Sequence, residues 1–179
     1  MGQPELRISL TVASPDEMQQ LGGALAVVLR AGDLVILTGE LGAGKTTLTR
    51  GLGAGLGVRG EVSSPTFVIA REHPGLADGQ ALVHVDAYRL GSIAELDDLD
   101  LDTSLADAGT VVEWGAGLAE GLAENRLEVL IERARGVLEP EDGSLSAAST
   151  ELLDGDEPRR VDLIGYGPRW AGVTLPRPS

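Results

Sequence analysis

The chain has 179 residues, 42% of them hydrophobic, with a formal net charge of −14 and no cysteine. That length suffices for one domain with a buried core and is too short for two comfortable ones. The acidity argues against a tight direct grip on a polyphosphate backbone, and the lack of cysteine excludes disulfides and thiolate metal sites and fits a reducing compartment.

Leu6, Ile8, Leu10 and Val12 alternate with Arg7, Ser9 and Thr11. This period-two pattern predicts a strand with one wet face, near a sheet edge. Ser14-Pro15-Asp16-Glu17 has the form of a capping box, with Ser14 as N-cap, Pro15 at the first helical position and Glu17 reaching back to the cap. The helix it opens runs from Pro15 to Leu29, buries Met18, Leu21, Leu25, Val28 and Leu29 along one stripe, and is stopped by Gly32. The unbroken apolar run Leu34-Val35-Ile36-Leu37 suits a central parallel strand covered on both faces.

That strand feeds into Gly39-Glu40-Leu41-Gly42-Ala43-Gly44-Lys45-Thr46, a full match to the phosphate-loop pattern GxxxxGK[ST]. Thirteen arginines against a single lysine look like a compositional bias, so the scarcity of Lys says little, but the place of the surviving one says much. With this content of Gly, Ser and Thr, a lone Lys finds the required neighbours by chance roughly two times in a thousand. The backbone from Leu41 through Gly42, Ala43, Gly44, Lys45, Thr46 and Thr47 is expected to wrap a phosphate, with the following helix turning its positive end to the same anion. Lys45 would reach the β and γ oxygens, and Thr46 would offer its hydroxyl to Mg²⁺. A merely flexible turn before a helix would need neither Lys nor Thr here.

Leu48, Leu52 and Leu56 line the next helix, which ends at Gly57, although Gly51, Gly53 and Gly55 lower its propensity. Phe67 to Glu72 and Ala81 to Asp86 read as two strands, an antiparallel pair around a turn at His73-Pro74-Gly75. Ile93 to Leu101 predicts a short helix over the sheet. Thr110-Val111-Val112 is a second buried strand ending at Glu113-Trp114. Leu118 and Leu122 mark an amphipathic stretch, Leu127, Val129 and Ile131 alternate as another strand, and Val161 to Ile164 is the last. Between those final strands, Glu139 to Pro158 carries seven acidic residues and no basic one, half of the net charge, and is read as a solvated mobile insertion. The expected organisation is one domain over residues 1–175, with the insertion at 139–158 and a frayed tail at 176–179.

Asp86 and Glu113 each follow an apolar strand, where ligands of a parallel sheet gather. Their expected work is metal coordination and orientation of an attacking water, with simple strand-end carboxylates as the plainer alternative. His84 is expected to be a hydrogen-bonded core histidine, His73 a loop residue, Trp114 a core residue and Trp170 the cover of a sheet edge. The start of the chain shows no export or lipid signal, and no apolar run approaches the ~20 residues needed to cross a bilayer, so a soluble cytoplasmic protein is expected.

Taken together, Gly39 to Thr47 (GELGAGKTT), Ser64-Pro65-Thr66-Phe67, His84-Val85-Asp86-Ala87-Tyr88-Arg89 and Glu113-Trp114 resemble, in order and spacing, the TsaE family, and the likeness spans Leu10 to Ile131. The resemblance implies a P-loop NTPase fold, α/β, with a mixed, mainly parallel central sheet flanked by helices and antiparallel strands at its edges. It also implies a Mg²⁺-dependent ATPase, weak alone, that serves the threonylcarbamoylation of adenosine 37 in tRNA together with the transferase subunit TsaD and its partner TsaB. Under it, Lys45 holds the β and γ phosphates, Thr46 and Glu113 bind Mg²⁺, Asp86 is the acidic residue of the second element, Thr66 is a switch residue, and Ser14 lies near the adenine of ATP. Ala116 stands where many relatives carry an acidic residue, and the 139–158 insertion matches no part of the pattern. The acidity of the chain makes contact with tRNA an indirect one, through the complex. A P-loop small-molecule kinase and a non-catalytic nucleotide-binding switch module are the alternatives. A kinase lid with paired arginines is not evident, since after Arg89 the next arginine is Arg126.

Overall fold

The computed structural model describes residues 2–65, 69–77, 79–97, 106–133 and 157–175. In chain order the elements are β1 (Pro4–Val12), α1 (Pro15–Val28), β2 (Leu34–Gly39), α2 (Lys45–Leu56), β3 (Ala70–His73), β4 (Ala81–Asp86), α3 (Ile93–Asp97), β5 (Ala108–Glu113), β6 (Arg126–Arg133) and β7 (Arg159–Tyr166). Short 3₁₀ turns at Ala87–Arg89 and Pro168–Trp170 follow β4 and β7. Among the described residues the strands form one seven-stranded sheet in the order β1-β7-β6-β2-β5-β4-β3. The centre, β6-β2-β5-β4, is parallel, and β1, β7 and β3 join it antiparallel.

β2 shows why a strand can be apolar throughout. Val35 and Leu37 enter a core with Leu21 and Leu25 of α1 and Leu48 and Leu52 of α2. Leu34 and Ile36 enter a second core on the opposite face, with Val83, Val85, Leu96 and Val112. With both faces covered, no position can be polar without stranding a group away from water. β1 is the contrasting case. As the expected edge strand it exposes Glu5, Arg7, Ser9 and Thr11, half-buries Leu6, Ile8 and Leu10, and buries Val12.

α1 begins as expected, with the Glu17 N–H donating to Ser14 Oγ at 3.2 Å. The Glu17 carboxylate reaches one residue further back than a strict capping box and accepts the Ala13 N–H at 2.7 Å. The glycines that weaken α2 as an isolated helix are the ones that let it approach α1. A Cβ on Gly51 would lie 2.0 Å from the Gln19 carbonyl oxygen, and one on Gly22 would lie 2.2 Å from the Leu48 carbonyl oxygen. The two backbones therefore touch, so packing outweighs propensity here, and α1 fixes where the N-terminus of α2 stands.

Several expectations are revised. β3 starts at Ala70, with Thr66, Phe67 and Val68 outside the described residues. His73 belongs to the strand and not to a loop. It pairs with Leu82 of β4 and is buried, because the antiparallel ladder turns it inward. The amphipathic stretch with Leu118 and Leu122 takes the form of successive turns, with the Leu118 and Ala119 N–H groups donating to the Gly115 carbonyl. Trp170 is fully buried in the core beside α1, where the small Gly165 of β7 leaves room for it. Of the expected helix to Leu101, Ile93–Asp97 is described. The insertion at 139–158 lies outside the described residues apart from Glu157 and Pro158, as does the tail at 176–179.

The helix contact generates a paired test. Gly51→Ala should destabilise by about 1–3 kcal/mol through overpacking even though alanine is the better helix former. Gly23→Ala in α1, whose added Cβ would meet nothing nearer than 3.9 Å, should stabilise by roughly 0.5–1 kcal/mol. Urea denaturation of both variants reads the two signs, and equal signs would contradict the close-contact account.

Candidate functional site

The loop between β2 and α2 is shaped by two glycines in the left-handed region, Gly42 at φ +75° and Gly44 at φ +111°. Gly44 is the N-cap of α2 and supplies no side-chain cap. The first amides of a helix have no acceptor within the helix, so the N-terminal turn of α2 is left open to an anion. Beside it lies a cavity of about 330 Å³ lined by Leu41, Gly42, Gly44, Lys45, Thr46, Thr47, Ser64, Asp86, Tyr88, Glu113 and Trp114.

Lys45 is the first residue of α2 and only 5% exposed. Its Nζ donates to the carbonyl oxygens of Gly39 at 2.7 Å and Glu40 at 2.9 Å, and stands 3.8 Å from the centre of the Trp114 ring. Trp114 reaches that place through a left-handed backbone, φ +62°, just beyond the end of β5, while its N–H donates to the Leu37 carbonyl at 2.9 Å. A large residue in this conformation costs on the order of 1–3 kcal/mol, a strain typical of functional positions. Tyr88 also packs against Trp114, ring centroids 5.1 Å apart.

Parallel pairing brings the two carboxylates together. Glu113 of β5 lies opposite both Leu37 of β2 and Asp86 of β4. Both acids are buried, and Thr46 Oγ1 shares its hydrogen between Glu113 Oε1 at 3.0 Å and Oε2 at 3.2 Å. Asp86 accepts the Tyr88 N–H at 3.1 Å on Oδ1, and Ser64 Oγ lies 3.4 Å from Oδ2. Burial pushes the Lys45 ammonium below its ordinary value of 10.5, and the Glu113 and Asp86 carboxylates push it part of the way back.

The structure thus gathers Leu41, Gly42, Gly44, Lys45, Thr46, Thr47, Asp86 and Glu113 around one cavity. Ala43 is placed differently. Its N–H donates to the Glu40 carbonyl at 3.1 Å, closing the turn, and its methyl is buried in the core. Ala43 and Ser14 line a neighbouring hollow of about 220 Å³ that shares Gly42, Gly44 and Thr47 with the first. Ser14 Oγ is engaged as the α1 cap. Thr66 lies outside the described residues. His84 is the buried, hydrogen-bonded histidine that the sequence predicts, whereas Trp114, expected in the core, is half-buried. Trp114 covers Lys45, and His84 bonds to Glu113. The adjacency of Trp114 to Glu113 was the available signal, but the left-handed turn that aims its ring was not legible.

The residues fit a nucleotide with a divalent cation. Among the described residues no group of three or more His, Cys, Asp or Glu side chains could hold a metal by itself. A hydroxyl, one or two carboxylates and phosphate oxygens are the donor set that Mg²⁺ takes, with water completing its octahedron.

Residues 12–138 match the family described as "Threonylcarbamoyl adenosine biosynthesis protein TsaE". The chain belongs to the TsaE family. It is 59% identical over 155 residues to a tRNA threonylcarbamoyladenosine biosynthesis protein TsaE of Streptomyces coelicolor, covering 86% of this chain and 94% of that protein. The TsaE of Bacillus subtilis is 40% identical over 123 residues, 68% and 75% of the two chains. The fold resembles a crystal structure of YdiB from Bacillus subtilis with a TM-score of 0.65 and 29% identity, over 92% of this chain and 89% of that one. No helix among the described residues is long and apolar enough to cross a membrane.

The lowered Lys45 value carries a signed pH dependence. Between that value and 10.5 the unfolded chain binds more protons at this residue than the folded one, so stability rises with pH through that window, while below it both states are protonated and the burial penalty is present in full. Relative to Lys45→Met, which has no such titration, the parent should gain unfolding free energy as pH is raised from neutral toward 10.5. Urea denaturation at several alkaline pH values tests this, and a flat difference between parent and variant would refute it.

Proposed function

We propose that this chain is a cytoplasmic Mg²⁺-dependent ATPase of the P-loop type, folded as one domain over residues 1–175, that serves the N6-threonylcarbamoyladenosine modification of tRNA. The observation that carries the ATPase reading is the convergence of Lys45, Thr46 and Glu113 on the uncapped N-terminus of α2. The membership of the TsaE family supports the tRNA-modification role. Partners are TsaD and TsaB, and the net charge of −14 favours contact with tRNA through them and not directly.

The backbone of the Gly42–Thr47 turn and Lys45 would bind the phosphates. Lys45 Nζ now donates to two neutral carbonyls. Exchanging these for phosphate oxygens replaces bonds from a charged donor to neutral acceptors by bonds between opposite full charges, and the low solvent exposure strengthens the change. Thr46, Glu113 and Asp86 would hold Mg²⁺, whose chemistry is to neutralise charge on the β and γ oxygens. Asp86 and Glu113 are also the groups able to orient an attacking water, and Trp114 with Tyr88 shields Lys45 from solvent.

Lys45→Ala should abolish tight ATP binding, and unchanged affinity by isothermal titration calorimetry would overturn the phosphate-binding reading. Glu113→Ala should keep nucleotide but lower turnover by at least about 100-fold. Parent-rate phosphate release by that variant with TsaD and TsaB present would remove Glu113 from the mechanism. Strong stimulation of ATP hydrolysis by TsaD and TsaB is expected, whereas phosphorylation of a small acceptor without them would establish a kinase instead.

A further inference from the structure

Glu113 is gripped from a second side. His84 Nε2 lies 2.7 Å from Glu113 Oε1, the oxygen that also lies 3.0 Å from the Thr46 hydroxyl, while Oε2 is 3.2 Å from that hydroxyl. His84 is fully buried in β4, where it pairs with Val111 of β5, two residues before Glu113. Since strand side chains alternate, His84, Asp86, Val111 and Glu113 share one face of the sheet, the face that α2 covers. A carboxylate can only accept, so the hydrogen of this contact sits on Nε2. His84 Nδ1 is also buried and has no hydrogen-bond partner among the described residues. A histidine kept for packing alone gains little from this arrangement, because an apolar side chain would fill the space without an unsatisfied nitrogen. What the imidazole adds is one directed N–H on Glu113.

We propose that His84 is the positioning residue of Glu113: its Nε2–H holds Oε1 in place and leaves Oε2 to the divalent cation shared with Thr46. The proposal rests on the reading of Glu113 and Thr46 as cation ligands given above. Partners of this kind, behind a metal-binding carboxylate, orient it and remove its rotational freedom, and their loss typically weakens metal binding by 10–100-fold.

The test uses Mn²⁺ as the probe for the Mg²⁺ site, followed by electron paramagnetic resonance with a nonhydrolysable ATP analogue. His84→Leu and His84→Asn, whose amide is too short to reach Glu113, should weaken Mn²⁺ binding by about 10-fold or more while metal-free affinity for the analogue stays within about twofold. His84→Gln, whose amide nitrogen can take the place of Nε2, should recover most of the loss, which a purely structural role would not predict. Should His84→Leu fail to fold by thermal melting, the Asn and Gln variants decide. Parent-like Mn²⁺ affinity in His84→Asn, or a His84→Gln as weak as His84→Asn, overturns the proposal. Glu113→Gln separates the two readings. If it binds Mn²⁺ like the parent, the cation-ligand reading falls and this inference with it, whereas weakened binding there alongside parent-like His84 variants sinks the inference alone.

Discussion

The parallel pairing of β2, β5 and β4 is the constraint on which the site depends. Leu37 lies opposite Glu113, and Glu113 opposite Asp86, so both acids emerge at the same end of the sheet as the loop that leaves β2. A shift of one residue in either pairing would send a carboxylate to the other face, into the core with Ile36, Val85 and Val112. The apolar runs on both faces of these strands hold the register, because each alternative strands a charge in hydrocarbon. The geometry of the polar site is thus a consequence of hydrophobic burial a few residues away.

A second constraint sets the height of α2 over the sheet. The backbone contact of Gly22 and Gly51 draws α1 and α2 together more closely than any side chain would permit, and Thr46 one turn earlier in α2 reaches Glu113. Helix propensity is given up to gain this approach. The exchange is reasonable, since a helix of this length in a folded protein is stabilised mostly by its packed face.

The site concentrates one buried cation and two buried anions where water is largely excluded. Carboxylates and ammonium compensate one another in part, yet burial still disfavours the Lys45 charge. Such a cluster is held at a cost to stability by the surrounding fold, and a bound anion with its cation would relieve it. The left-handed backbone of Trp114 belongs to the same pattern, strain kept where a ring must cover Lys45.

By itself the sequence determined the elements and the loop. Alternation marked β1 as an edge strand, unbroken apolar runs marked β2 and β5 as central, Ser14 and Pro15 marked the start of α1, and GELGAGKTT marked the turn around Lys45, because each of these rules acts over a few neighbouring residues. It also flagged Asp86 and Glu113 as strand-end acids, without showing which of them Thr46 would meet. Only the tertiary structure decided that Thr46 bonds to Glu113 across 67 positions and His84 to Glu113 across 29, that Trp114 folds over Lys45, and that His73 turns inward. The physical reason is that these meetings are produced by strand order, register and the depth of helix packing. Local periodicity constrains which residues are buried, whereas the choice of neighbour belongs to the assembled sheet.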